Sequence, residues 1–182
     1  MIIKSYIAEQ NPQALNDHNS IIFYGENDGI KDFFKTELKK INNGAEIINL
    51  FQEEIIKNNN LLFDNIQNSS LFNSKKIFLI HEATDKIYDD VIKCIEKNKD
   101  NNKIYIFSNL LDKKSKLRNF FEKDKKVGVI ACYEDNERTL FNFVNNKLKD
   151  FTGTTPDIIN LIIKNSNNNR SIIISELLKI KQ

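Results

Sequence analysis

Thiols are scarce in this chain. Its 182 residues include two cysteines, Cys94 and Cys132, far apart and without a second thiol or clustered histidines beside them. That excludes a disulfide framework and a Cys/His metal centre, and predicts two buried, reduced thiols in a helix and a strand. Long hydrophobic runs are also missing. No stretch approaches the roughly 18 apolar residues of a membrane span, and Met1-Ile2-Ile3-Lys4-Ser5-Tyr6 lacks the apolar run of a signal peptide. The expectation is a cytoplasmic protein with no membrane partner. Nor is there an excess of one charge. The formal net charge is +2 with charges evenly spread, which does not favour a dedicated nucleic-acid-binding stripe. Arginine is rare, 3 residues against 24 lysines and 27 asparagines. Such a skew reflects codon composition, so single Lys and Asn residues carry little functional weight.

What is present is apolar material, 40% of the chain, enough for one sizeable core and a small second unit. Short β-branched runs at Ser20–Tyr24, Glu46–Leu50, Lys76–Ile80, Lys103–Phe107 and Val127–Cys132 read as five buried strands. Between them Ile30, Phe33, Phe34, Leu38 and Ile41 share one helical face, and Phe51, Ile55, Ile56, Leu62, Phe63 and Ile66 another. The β-α alternation predicts an α/β fold with a parallel five-stranded sheet and helices on both faces. After Cys132 the pattern is helical: Glu137 to about Lys149, Pro156 to about Lys164, and Arg170 to about Lys181, with Thr155 and Pro156 forming a helix start. The expected organisation is an AAA+/P-loop-NTPase-like domain over residues 1–135 and a small helical lid over 136–182.

The first strand ends in Gly25, where a phosphate loop would follow. Such a loop needs Gly, Lys and Ser or Thr at its last three positions; here they are Ile30, Lys31 and Asp32. Only the lysine is retained. Ile30 places a branched side chain where backbone N–H groups would close on phosphate, and Asp32 replaces the Mg²⁺-ligating hydroxyl with a carboxylate. Two like charges about 4 Å apart at an effective dielectric near 20 repel by roughly 4 kcal/mol, on the order of several hundred-fold in affinity. An ATPase also needs an acidic pair after another strand. Ile77-Phe78-Leu79-Ile80 leads into His81 and Glu82, and His81 cannot supply the missing charge. The loop is therefore read as a degenerate nucleotide site holding no cofactor and no metal, with no catalytic residues.

Other candidates are weaker on pattern alone. Asn109 follows the fourth strand where a polar residue could sense a phosphate, and Arg170 opens the last helix; the plainer reading leaves a loop asparagine and a surface arginine. His18 has no evident role. Leu71 and Phe72 lie in the turn-forming segment Asn68–Lys76, either as core filling or as an outward apolar wedge. Lys113, Lys114, Lys116 and Arg118 form a basic helix segment whose Leu117, Phe120 and Phe121 have the spacing of a packed face.

In this order, Ile22-Phe23-Tyr24-Gly25-Glu26-Asn27-Asp28-Gly29, Ser70-Leu71-Phe72, Lys114-Ser115-Lys116-Leu117-Arg118-Asn119-Phe120-Phe121-Glu122, Ala131-Cys132-Tyr133-Glu134-Asp135 and Asn169-Arg170 with Ser175–Ile180 form a specific combination. It resembles the delta subunit of the bacterial DNA polymerase III clamp loader. The resemblance implies a subunit that binds and opens the sliding clamp during DNA replication without hydrolysing ATP, and places Ser70, Leu71 and Phe72 at the clamp. Implied partners are the sliding clamp (beta), the gamma/tau and delta prime loader subunits, and primed DNA through the complex. The family's C-terminal helical collar is expected to be absent from this chain. Two rival readings remain open: a functional nucleotide-binding ATPase using Lys31 and Glu82, and a DNA-binding module using the basic helix.

Overall fold

The computed structural model describes residues 1–67, 75–98 and 102–180. Strands β1 (Ile2–Ile3), β2 (Ser20–Tyr24), β3 (Glu46–Phe51), β4 (Lys76–His81), β5 (Lys103–Ser108) and β6 (Gly128–Ala131) form one parallel sheet in the order β1-β6-β2-β5-β4-β3. The expected α/β architecture is present with six strands rather than five. The added strand, β1, pairs Ile2 with Val129 and Ile3 with Ile130. Two residues are too few to show a period, so no pattern announces it.

Alternation along the central strands divides the core between the two faces. Ile22, Tyr24, Phe78, Ile80, Ile104 and Ile106 point to one side. There they meet Ile55 from α3 (Gln52–Lys57), Leu62 and Ile66 from α4 (Leu61–Gln67), Val91 and Cys94 from α5 (Tyr88–Lys97), and Leu117 and Phe121 from α6 (Lys116–Lys123). Ile21, Phe23, Ile77, Leu79, Tyr105 and Phe107 point to the other. That side is covered by Ala8 of α1 (Ser5–Gln10) and by Ile30, Phe33, Phe34 and Leu38 of α2 (Asp28–Ile41). Strands buried on both faces read as continuous apolar runs, which is why they were legible.

The expected second helical face resolves into two short helices separated by Asn58-Asn59-Asn60, where the Asn58 side chain accepts a hydrogen bond from the Asn60 N–H. Local side-chain bonding of this kind competes with helix continuation. Phe51 instead ends β3, and both Phe51 and Ile56 are exposed.

The last three helices, α7 (Glu137–Lys147), α8 (Pro156–Asn165) and α9 (Arg170–Ile180), enclose a core of their own from Leu140, Val144, Ile159, Ile173 and Leu177. Thr155 caps α8 through the Ile158 N–H, as its sequence position indicates. Among the described residues no helix is long and apolar enough to cross a membrane. Both cysteines are buried, and burial pushes each thiol up to about 12.

Candidate functional site

In a parallel sheet the loops after the strands gather at one edge, and a crevice opens where neighbouring strands send their connections to opposite sides. Here that place lies at the ends of β2, β5 and β6. The connection from β2 to α2 is only Gly25-Glu26-Asn27, because α2 already begins at Asp28. Gly29, Ile30 and Lys31 are helical rather than part of a phosphate-cradling loop.

Asn27 explains the early start. Its Oδ1 accepts the Ile30 N–H at 3.1 Å, an N-cap that uses a donor a phosphate would need, and its Nδ2 donates to Asp135 at 2.8 Å and to the Tyr133 carbonyl. The backbone closes the link further. The Gly25 N–H donates to the Asn109 carbonyl, the Asn27 N–H to the Cys132 carbonyl, and the Cys132 N–H to the Tyr24 carbonyl. Gly25 has φ +137°, and a Cβ there would lie 2.2 Å from the Cys132 oxygen.

Lys31 is buried, and its ammonium turns back into the strand ends. It donates to the Gly25 carbonyl at 2.9 Å, the Ser108 carbonyl at 3.3 Å and Asn109 Oδ1 at 3.3 Å, and lies 2.9 Å from the exposed Asp28 carboxylate. Asn109 is thus brought to the lysine as a structural partner. Ile30 belongs to the core. Asp32 stands on the exposed side of α2, paired with Lys35 at 2.9 Å, rather than facing an anion beside Lys31. His81 ends β4 stacked against Phe51 and Phe107, with its Nε2 3.1 Å from Asn49 Oδ1. Burial, with Lys35 and Lys39 nearby, holds its imidazole below the ordinary value. Glu82 is exposed at φ +57°.

Over this link sits a charge cluster that residue patterns did not reveal. Arg170, expected at the surface, is 5% exposed at the start of α9. Its guanidinium grips Asp135 through Nε and Nη2 at 2.6 and 2.7 Å, pairs with Glu9 of α1, and lies 4.3 Å from the Phe143 ring centre. The Arg170 stem lies so close to Gly29 that a Cβ on that glycine would come within 3.1 Å of it. Burial alone would raise the Asp135 carboxyl, but bonds and charge from Arg170, with bonds from Asn27 and Thr139, outweigh it and hold the group below the usual range. Glu9 is pushed up, by burial first and by Asp135 as well, against the opposing pull of Arg170. The one signal in the sequence was Asn27, three residues before a buried helical Ile. A cavity of about 870 Å³ opens beside this cluster, walled by Tyr6, Phe33, Asn142, Phe143 and Arg170.

The basic segment divides. Arg118 is held by Glu122 at 2.8 Å and the Leu111 carbonyl, over the Tyr24 ring, whereas Lys113, Lys114 and Lys116 are exposed. Ser70, Leu71 and Phe72 lie outside the described residues.

The fold has a counterpart among solved structures. The Bacillus subtilis DNA clamp loader delta protein (YqeN) superposes with a TM-score of 0.68 at 11% identity, over 96% of this chain and 55% of that one. The fold is that of a clamp-loader delta protein. This chain spans little more than half of that relative's length. A structure of Drosophila ORC bound to DNA matches at a TM-score of 0.46 and 14% identity, over 85% of this chain and 53% of that one. No family model and no curated protein sequence matches the chain.

These contacts make Lys31 a structural residue. Lys31→Met is expected to cost about 2–3 kcal/mol in urea unfolding, because two buried carbonyls lose a charged donor. Labelled Mg·ATP should show no saturable binding before or after the change. Micromolar binding by the unmodified chain, abolished in the variant, would restore a nucleotide-binding role.

Proposed function

We propose that this chain is a delta-type clamp-loader subunit acting in DNA replication: it binds the sliding clamp through Leu71 and Phe72, with Ser70 beside them, and favours the open ring without hydrolysing ATP. The observation that carries the reading is the delta-protein fold over 96% of the chain. The capture of Lys31 and Asn27 by the chain's own groups supports it, since a subunit used as a lever needs no phosphate contacts. The separate core of α7–α9 supports a division into an α/β unit over 1–135 and a helical unit over 136–182.

The flanks of the Leu-Phe segment, Gln67 closing α4 and Lys75 just before β4, lie at the amino-terminal edge of the sheet, opposite the Lys31 crevice. A clamp contact there would leave the crevice side to neighbouring loader subunits. Burying a Leu and a Phe in a partner pocket is worth roughly 3–6 kcal/mol before association costs. A ligand shifts a conformational equilibrium only by its preference between states, so the wedge must fit the open clamp better than the closed one. ATP use belongs, in this reading, to other subunits.

Co-elution with a cognate sliding clamp tests it. The unmodified chain should bind, and Leu71→Ala/Phe72→Ala should weaken binding by at least about 100-fold with an unchanged melting temperature. Absence of binding by the unmodified chain, or unfolding of the double variant, would remove the wedge reading.

A further inference from the structure

The sheet ends in two unlike edges. At one, β1 is only two residues long and leads directly into α1. At the other, β3 presents six residues, Glu46–Phe51, to a single neighbour, β4. The Glu46 N–H donates to the Lys75 carbonyl at 3.0 Å, which sets the phase of the strand. Glu46, Ile48 and Leu50 therefore direct their backbone groups at β4, and Ile47, Asn49 and Phe51 direct theirs outward. The outward Phe51 N–H is taken by the Glu54 carboxylate at 2.8 Å. The outward N–H groups of Ile47 and Asn49 have no partner among the described residues.

Open edges are ordinarily blunted by a lysine, a proline or a bulge, because free donors and acceptors template another strand. β3 has none of these. Its sequence is Glu-Ile-Ile-Asn-Leu-Phe, its residues pair one to one with β4 without a bulge, and its single charge, Glu46, stands at the start. Ile47 and Phe51 are 37% and 46% exposed on the face they share with Asn49, and Ile56 is exposed in the helix that follows.

We propose that β3 is a self-association edge, on which the β3 of a second copy of this chain lies antiparallel across a two-fold axis through Asn49. A two-fold interface must be complementary to itself, and this strand has one register that meets the requirement in full. Outward residues can bond only to outward residues. Centring the axis on Asn49 matches all three: Asn49 meets the second copy's Asn49, and Ile47 and Phe51 meet each other twice. Moving the axis to Ile48 or Leu50 leaves just two of the three paired within the strand. On the opposite face the same register sets Ile48 against Leu50, and Glu46 against Gln52, so no like charges meet. The pairing occupies the free Ile47 and Asn49 groups, covers the exposed Ile47 and Phe51 side chains with each other, and joins two sheets into one. A strand from an unrelated protein gains nothing from this symmetry, which favours a second copy as the occupant.

The test is sedimentation velocity of the full chain from micromolar to submillimolar concentration. The native chain should move from monomer toward dimer as concentration rises. Asn49→Lys and Asn49→Asp each set like charges face to face on the axis, and each should weaken association by about tenfold or more. An equimolar mixture of the two should recover it, because opposite charges then meet. Asn49 is exposed, so both variants should melt as the native chain does. Ile7→Lys, at an exposed position in α1 near the opposite edge, should leave association unchanged. Mild oxidation reads the register. Asn49→Cys should give a disulfide-linked dimer, because paired Cα atoms on the axis stand about 5.5 Å apart. Ile47→Cys should not, because its two copies would lie four positions, about 14 Å, apart. The two natural thiols are buried and do not compete. A native chain that stays monomeric throughout would overturn the proposal and leave the edge to a strand of another protein. So would a dimer that survives both Asn49 variants, a mixture that fails to recover, or cross-linking by Ile47→Cys in place of Asn49→Cys. No clamp is present in these experiments, so their outcome is independent of the clamp reading.

Discussion

Replacing Arg170 with methionine is expected to lower the unfolding free energy by about 3–5 kcal/mol at neutral pH, the cost of leaving buried charges without their partner. The side chains of Asp135 and Glu9 are 6% and 13% exposed, so water cannot compensate them. The pH dependence should steepen. In the native chain Asp135 sits below the usual carboxylate range, so its contribution is complete above its unfolded value, near 3.9, and is lost as pH falls through the folded value. Glu9 is raised, and its contribution runs the other way, fading as pH rises. Without Arg170 both carboxyls favour protonation, so the variant should gain more stability on acidification from pH 7 to about 4.5 than the native chain, in which Glu9 alone favours it. Urea unfolding at the two pH values measures this. A penalty below about 1 kcal/mol, or one equal at both pH values, would show that the cluster does not hold α9 to the sheet.

Gly25→Ala should be similarly severe for a steric reason. At φ +137° an L side chain is strained, and its Cβ would stand 2.2 Å from the Cys132 carbonyl oxygen and 2.6 Å from its carbon. The obstacle is backbone, fixed by the Tyr24–Cys132 and Asn27–Cys132 hydrogen bonds, and cannot rotate aside. Dihedral strain and overpacking together suggest a loss of about 3–5 kcal/mol. Gly44 is the control: φ is +88° but nothing lies within 4 Å of a Cβ there. Gly44→Ala should show the dihedral cost alone, about 1–2 kcal/mol. Thermal or urea unfolding of the two variants isolates the clash, and equal losses would mean that the β2–α2 link yields. Because the Gly25 carbonyl receives Lys31, the same substitution should loosen that lysine.

The central strands were legible because burial on both faces demands uninterrupted β-branched and aromatic runs. Ser20–Tyr24 coincides with its predicted span, and Lys76 and Lys103 each begin a strand where expected, as does Glu46 in the more exposed edge strand β3. β1 was not legible, since two residues hold no period and Met1-Ile2-Ile3 becomes a strand only by pairing with β6. The break between α3 and α4 lay in plain view in three consecutive asparagines. At the candidate site Lys31 was singled out by spacing, yet its partners come from residues 25, 28, 108 and 109, two of them on another strand's end. Arg170 is the sharper case: nothing within its helix distinguishes it from a surface residue, because its partners lie 35 and 161 residues away.

From the order of its residues alone, this chain's alternating strands and helices, its closing run of helices and its altered phosphate-loop positions follow, because periodicity and the chemistry of single side chains are local properties. Tertiary structure alone decided that α2 starts at Asp28, that Lys31 and Arg170 spend their charge inside the molecule, and that Lys113, Lys114 and Lys116 do not. Whether a cation is free depends on which carboxylates and carbonyls the fold carries to it, and those arrive from distant parts of the chain.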